Sequence, residues 1–333
     1  MALRRSLALG FCAALASTVI AQQTAVERLL AAERAKTTLT VSATVRTAVI
    51  SQDREVAARA RTYQAGPKFR AEYLSGASAG RVVIDDGQRL YQIDTRLKTV
   101  LRSDAFHEPT RENLLLKNYT ARFAGTAEVA GRKCDIVVVS SSRPGTPSRK
   151  VWIDKATALI LRNEQYDHTG TLSSVTVYES LDLTPKLDPS LFRPPSGWKV
   201  TEVTTGAHKH YSRQEMAKLV GFEVAVPSYV PAGFVLDGYH LGECRGGVPY
   251  EHTRYVDGLN SFSIIQRLDV CPKCGAGASG RGRGRGAGRG RQCDLPMTPS
   301  DTRSVVLVGD VRMMVMGDLP KAELDRIAAS LRK

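Results

Sequence analysis

From Leu39 to Leu183 apolar residues recur at every second position in one short run after another, the period of a half-buried β-strand. Leu39, Val41, Ala43 and Val45 open the series, with Ala48 to Ile50 behind them, and Val56, Ala58 and Ala60 follow. Phe69, Ala71 and Tyr73 then alternate with Lys68, Arg70 and Glu72. Val82 to Ile84 and Leu90 to Ile93 flank Asp85-Asp86-Gly87, and Asp-Gly between apolar runs is the strongest short-range hairpin signal. Thr99 to Arg102 predicts another strand, Glu112 to Lys117 a single helical turn, Ala121 to Val129 a strand and Ser174 to Leu183 the last. Between them, Val129 to Leu172 carries runs rich in Val, Ile and Trp. They are broken by Pro144-Gly145 and by Asp154-Lys155-Ala156-Thr157, the pattern of an antiparallel meander. This amounts to about ten or eleven strands joinable by hairpins. In front, Thr24-Ala25-Val26-Glu27 is a capping box followed by Leu29 and Leu30 at helical spacing, which predicts a helix of two or three turns.

Pro185, Pro189, Pro194, Pro195 and Gly197 interrupt regular structure, and the polar stretch from Thr201 to Tyr211 reads as a linker. Beyond it the pattern changes. Ser212-Arg213-Gln214-Glu215 is a second capping box, with Met216 and Leu219 on the apolar side and Gly221 as the stop. Strands are expected over 222–226, 235–241, 250–256, 261–268, 304–308 and 311–316, with tight turns at Asp257-Gly258 and Gly309-Asp310. A closing helix starts at Pro320 and carries Leu324, Ile327, Ala328 and Leu331 on one face. The fold class is therefore α+β: a curved antiparallel sheet with a helix over 22–200, and a small α+β domain over 212–333.

Arg4 and Arg5 precede an apolar run from Leu7 to Ile20 that ends in small residues, so residues 1–21 are expected to be a secretory signal cleaved after Ala21. The run is shorter than the roughly 20 residues a bilayer span needs, and no later segment approaches that length, so the chain is not expected to span a membrane. Cys12 follows Phe11, where a lipoprotein signal needs a small residue. Losing Arg4 and Arg5 lowers the formal charge from +14 to +12, which still favours anionic partners. In an exported protein those are envelope polyanions, such as phosphorylated lipids or glycolipids, rather than nucleic acid.

Two stretches carry a family likeness. Ala130-Gly131-Arg132 to Cys134 with Val151-Trp152-Ile153-Asp154 resembles the strand block of the RseB/MucB regulators and, more loosely, of the LolA and LolB lipoprotein carriers. Val226 to Phe234, Tyr255-Val256-Asp257-Gly258 and Gly317-Asp318-Leu319-Pro320 are similar to the C-terminal domain of RseB, which LolA carriers lack. The resemblance implies a periplasmic protein whose first domain is a half-open β-barrel taking a lipid, lipoprotein or glycolipid ligand. It also implies that both domains grip the periplasmic part of a membrane-bound anti-sigma factor, with no chemistry and no cofactor. A LolA-like lipid or lipoprotein carrier is the alternative. A buried acyl chain of ~14 carbons would contribute roughly 10 kcal/mol gross, at about 0.8 kcal/mol per methylene. Candidates to line its site are Val41, Val45, Phe69, Tyr73, Ile93, Val137, Val139 and Trp152, which would otherwise fill a closed core.

Cys134 lies in a strand pattern and is expected to be a small buried residue. Cys244, Cys271, Cys274 and Cys293 bracket an Arg-Gly segment over 275–291. Two disulfides are expected among them, Cys244 with Cys293 and Cys271 with Cys274 being one of three pairings; a structural zinc site and a redox pair are the alternatives. Arg281, Arg283, Arg285, Arg289 and Arg291 are candidates to bind an anionic partner, or a tolerated basic insertion. Gly76-Ala77-Ser78-Ala79-Gly80 has the Gly-x-Ser-x-Gly spacing, but it joins two strand runs rather than a strand and a helix as a nucleophile elbow does, and no phosphate loop occurs. His208 and His210 could hold a metal weakly or simply be solvated, while His168 and His252 lack paired carboxylates. An enzyme is not expected.

Overall fold

Turn chemistry sets the strand pairing. The computed structural model describes residues 25–51, 54–105, 112–141, 143, 145–202, 206–243, 248–269 and 302–332. These fall into two units that divide between Val203 and Thr204.

The first unit opens with α1 (residues 25–35), whose Ala25, Leu29, Ala32 and Ala35 are buried. Thr24, which would cap it, lies outside the described residues. Then come β1 (Thr40–Ser51), β2 (Arg54–Ala65), β3 (Lys68–Tyr73), β4 (Arg81–Asp85), β5 (Arg89–Asp94) and β6 (Thr99–Asp104). After α2 (Glu112–Asn118) follow β7 (Tyr119–Val129), β8 (Arg132–Ser141), β9 (Ser148–Asp154), β10 (Ile160–Tyr166) and β11 (Leu172–Asp182). A 3₁₀ turn (Pro189–Phe192) and β12 (Lys199–Glu202) complete it. The strands form one curved, unclosed sheet in the order β12-β6-β5-β4-β3-β2-β1-β11-β10-β9-β8-β7. Two meanders, β1 to β6 and β7 to β11, are thus joined by antiparallel pairing of β1 with β11.

The corners work as their residues predict. At the β4–β5 hairpin Asp85 Oδ1 accepts from Gly87 N (2.8 Å), and Gly87 takes φ +93°, which a side chain would resist. At the β9–β10 corner Asp154 Oδ2 accepts from Thr157 N (3.0 Å) and from the Arg132 guanidinium (2.9 Å).

Because partners in register share a face, the two sides of the sheet can be traced strand by strand. One side carries Val45, Ala60 and Tyr73 in one direction and, through Thr47, Thr176, Asn163 and Val151, reaches Val137 in the other. Arg28 of α1 meets this side, its Nε 3.4 Å from Asp135, which pairs with Ile153 two positions along from Val151, while Ala35 at the end of the helix joins the cluster of Val41, Cys134 and Trp152. On the opposite side Val82, Ile84, Tyr91, Ile93 and Val100 pack with Phe192 of the 3₁₀ turn. The two sides are called the α1 face and the Phe192 face below.

Two expectations change over residues 199–211. The twelfth strand, β12, falls in the Pro-rich and polar stretch that the pattern reads as irregular, and it runs parallel to β6, so it is not hairpin-joined. Its burial pattern is wholly exposed, which leaves no alternation to detect. The expected linker over 201–211 is largely strand, since β13 (Gly206–Tyr211) pairs with β15 (Val235–Glu243).

The second unit continues with α3 (Arg213–Val220), β14 (Val226–Pro227), β16 (Pro249–Val256), β17 (Ser261–Leu268), β18 (Thr302–Val308), β19 (Val311–Gly317), α4 (Lys321–Ala329) and β20 (Leu331–Arg332). Its main sheet runs β13-β15-β16-β17-β19-β18, and β14 pairs with β20. Residues 222–225 are not strand; Phe222 and Val224 instead pack under α3 with Met216 and Val220. The capping box is complete, with Glu215 N donating to Ser212 Oγ (3.2 Å) and Ser212 N to Glu215 Oε2 (2.8 Å). Gly221 ends the helix at φ +78°. Leu324 and Ile327 of α4 pack on Phe262, Ile264, Met313 and Val315.

Candidate functional site

The register divides the eight sequence-predicted lipid-site residues. Val41, Val45, Phe69, Tyr73, Val137 and Val139 share the α1 face. Trp152 pairs with Ile136, so it lies on the opposite side of the sheet from Val137 and Val139; Ile93 belongs to the Phe192 face. The eight therefore do not line one surface. Of the six that share a face, Val41, Val45, Val137 and Val139 are buried, while Phe69 is 37% exposed and Tyr73 half-buried.

Trp152 is covered by cations. Lys150 Nζ and the Arg162 guanidinium each lie 4.9 Å from its ring centre. Arg162 in turn holds Glu164 (Nε to Oε1 3.0 Å), and Tyr166 donates to the other carboxylate oxygen (2.6 Å). Burial, with Glu164 behind it, pushes the Tyr166 hydroxyl up to about 12, so Tyr166 remains a hydrogen-bond donor.

Open apolar surface lies elsewhere on the α1 face, over the arm formed by β3 to β6. There a cavity of about 410 Å³ is bordered by Tyr73, Val83, Leu97 and Leu101, with Ser78, Arg81, Gln92, Asp94 and Thr99 as its polar groups. That volume is in the range of small-molecule pockets, roughly 300–1,000 Å³. Leu101 is 43% and Leu97 72% exposed, so apolar surface here waits uncovered. Asp94 Oδ1 accepts from Arg96 N (3.0 Å) and Leu97 N (3.1 Å), which shapes the turn that presents Leu97. The Leu97 amide first, and Arg96 and Arg81 after it, hold the Asp94 carboxyl below the usual range, so the rim is ionised. Tyr73 and Ile93 are the two sequence-predicted residues that border this cavity, Ile93 with its side chain in the cluster on the other face. Val83, Leu97 and Leu101 were missed. The signal was present: Val82-Val83 and Val100-Leu101 are consecutive apolar pairs, and in a strand such a pair puts apolar groups on both faces.

On the Phe192 side of β1, β2 and β11 a shallower cavity of about 280 Å³ is polar, with Ser42, Thr44, Arg61, Tyr63, Ser180 and Asp182 at its wall. It sits where β11 bulges against Thr44 and Val45.

Cys134 is a buried free thiol, and burial raises its pKa. Cys244, Cys271, Cys274 and Cys293, and Arg281, Arg283, Arg285, Arg289 and Arg291, lie outside the described residues. His208 and His210 fall on β13 with undescribed side chains, and His168 is in a turn. His252 Nε2 is 2.8 Å from Ser263 Oγ. Among the described residues no group of three or more His, Cys, Asp or Glu is placed to hold a metal ion. No described helix is long and apolar enough to cross a membrane.

An unclosed sheet with an apolar hollow on one face, followed by a helix-backed second sheet, defines a two-domain protein of the curved-sheet, cavity-bearing class. Residues 69–196 match the family model described as MucB/RseB N-terminal domain. A crystal structure of MucB is similar over 93% of this chain and 98% of its own, at 17% identity and a TM-score of 0.57. The structure of the Pseudomonas aeruginosa MucA/MucB complex is similar over the same shares, at 17% identity and a TM-score of 0.61. At that identity the likeness is one of fold, and it runs through both units. A LolA superfamily protein from Nitrosomonas europaea covers 51% of this chain and 97% of its own, at 13% identity and a TM-score of 0.26, too distant to bear on function. No curated protein sequence matches.

Proposed function

We propose that this protein is a periplasmic regulator that holds the periplasmic part of a membrane-bound anti-sigma factor and lets go when its first domain takes up a lipid-type signal. The observation that carries this reading is the match of both units, in order, to MucB, a protein whose solved structures include complexes with MucA. The first domain, 22–200, supplies the ligand site at the β3–β6 cavity. Tyr73, Val83, Leu97 and Leu101 receive an acyl chain, and Arg81 faces an anionic head group. The second, 212–333, contributes to the partner surface. Residues 1–21 are the export signal. Disulfides among Cys244, Cys271, Cys274 and Cys293 hold the ends of the Arg-Gly segment, whose arginines add attraction for anionic surfaces. Release on ligand binding requires that ligand and partner favour different states, so occupancy of one lowers affinity for the other by the same factor.

Two measurements test this. The mature chain, immobilised, is expected to retain a transmembrane anti-sigma factor from detergent-solubilised envelope, and added lipid to elute it. Recovery of none under any condition overturns the regulator. Native mass spectrometry of the delipidated chain mixed with phosphatidylglycerol should show a one-to-one adduct, and its absence overturns the lipid signal.

A further inference from the structure

We propose that the helix-free side of the second domain's sheet, at its β18 edge, is a docking surface for an acidic, extended segment of a partner protein, which adds to β18 as a further strand. The two helices among the described residues of this unit pack on the other side: Leu324 and Ile327 of α4 against Ile264 and Val315, and Met216 and Val220 of α3 against Tyr239 and Leu241. Register builds two rows on the helix-free side, Arg267–Arg312–Leu307 and Ile265–Met314–Val305, of which Ile265 and Met314 are buried with Met316 and the β18 ends, Val305 and Leu307, are open. β18 ends the sheet, and among the described residues no strand pairs with its outer edge. Val305 and Leu307 are 49% and 54% exposed, so this edge offers both free main-chain groups and apolar side chains, the two things that strand addition uses.

Charge decides which partner fits. On β16, β17, β18 and β19 the helix-free side carries arginines and no Asp or Glu. Arg254 and Arg312 have carboxylates at the ends of the sheet, Asp237 at 3.3 Å and Asp269 at 2.6 Å. Arg267 has no ion-pair partner among the described residues, and its Nε is a buried donor with no acceptor. Its charge, left without a counter-charge in the described residues, favours a carboxylate arriving with the partner. An incoming strand alternating acidic and apolar residues would set its apolar side chains beside Val305 and Leu307 and its carboxylates along the arginine row. A membrane surface would meet the same arginines but leave the β18 backbone groups unpaired, and this favours a protein segment.

The inference rests on the regulator reading, since it names a place where that partner docks, and the two can fail separately. The probe is a fluorescein-labelled peptide alternating Val and Glu, titrated into the full mature chain and followed by anisotropy, with a Val/Lys peptide and phosphatidylglycerol vesicles as controls. The expected result is saturable binding of the acidic peptide that weakens with salt. Leu307→Glu should weaken it about tenfold or more and Leu307→Lys should not. Arg267→Gln should weaken it while Phe123→Glu, on the outer strand β7 of the first unit, leaves it unchanged; thermal melts verify that each variant is folded. Equal binding of both peptides, indifference to Leu307→Glu, or vesicle binding that Arg267→Gln abolishes while the peptide does not bind, overturns the proposal. So does a dimer that Leu307→Glu dissociates in the absence of peptide binding, which would give the edge to a second copy. If the anti-sigma factor is retained equally by wild type and Leu307→Glu, the regulator survives and this docking surface does not.

Discussion

On the β7–β11 half of the first sheet the aliphatic side chains turn to the α1 face, where Val137, Val139, Val151 and Ile153 are buried. On the β3–β6 arm they turn the other way: Val82, Ile84, Ile93 and Val100 pack under Phe192, and the α1 face is left with exposed Leu101 and half-covered Tyr73 and Val83. One continuous sheet is thus packed on a single face along the arm and on both faces along the other half, where Cys134 and Trp152 are buried opposite Val137 and Val151. Covered area goes to stability, so only a side left uncovered is available to a ligand. On the arm that side is an apolar hollow; the β7–β11 half leaves no such side, because Trp152 is itself buried there, beneath Lys150 and Arg162 and in a cluster with Cys134 and Leu161. In the second sheet both sides carry buried residues, Phe262 and Ile264 on the helix-backed side and Ile265, Met314 and Met316 on the other, and on the latter it is the β18 edge, at Val305 and Leu307, that stays open.

The largest effects should test the two cores directly. Ile153 and Ile84 are both fully buried but lie on opposite faces. Ile153→Ala and Ile84→Ala are each expected to cost about 2–5 kcal/mol in urea unfolding, because each leaves a cavity in a packed layer. A near-neutral Ile84→Ala would mean that the arm has no core of its own and would dissolve the comparison.

Next come two of the buried carboxyl groups, Glu251 of the second unit and Asp154 of the first, whose pH dependences should have opposite sign. Burial pushes Glu251 up to about 8 against hydrogen bonds from Thr253 and Gln266, and its Oε2 has no partner. Gln266 is itself tied to Ala225, accepting from its N–H (2.9 Å) and donating to its C=O (2.8 Å). The folded chain keeps a proton on Glu251 that the unfolded chain has lost above the ordinary value of 4.5. Stability from this group is thus fully present below 4.5 and declines as the pH rises toward 8, by at most about 1.4 kcal/mol per pH unit. Glu251→Gln should flatten that slope, read from urea midpoints across the window, and an unchanged slope would refute it.

Asp154 is the reverse case. Its burial raises the carboxyl, but Arg132 and the Thr157 hydroxyl and amide outweigh that and hold it below 3.8. Its contribution is present above 3.8 and lost as the pH falls through the lower folded value. Arg132→Ala, which leaves the carboxylate with Thr157 alone among these partners, should cost about 1–3 kcal/mol at neutral pH. It should cost much less in acid, and an equal loss at both pH values would show that Arg132 acts by packing only.

Much of this was legible in the chain because it depends on neighbours in sequence. The Asp85-Asp86-Gly87 hairpin, the Ser212–Glu215 box with Gly221, and buried Cys134 all follow from residues a few positions apart. What was not legible depends on register between distant strands. β12 is a short exposed strand recruited in parallel by β6, and nothing in its own residues announces it. Ile93 and Trp152 look like lining residues because they are large and apolar, yet a face is assigned only by counting partners from β1 outward in both directions.

The smallest stability effect carries the sharpest test of the arm. Leu101 pairs with Gln92 and stands on the α1 face, two positions from Thr99 and opposite in direction to buried Val100. Leu101→Asp removes apolar surface that water already reaches in large part, so it should change unfolding free energy by no more than about 0.5 kcal/mol. It also puts a carboxylate in the cavity where an acyl chain would lie, which disfavours that chain by desolvation rather than by unfolding the sheet. Binding of a fluorescent fatty acid should therefore fall sharply in Leu101→Asp, while Val137→Ala, in the closed half, should lower stability and leave binding by the folded fraction intact. If the two variants exchanged these phenotypes, the ligand would belong under α1, and the open arm would be only an exposed edge of the sheet.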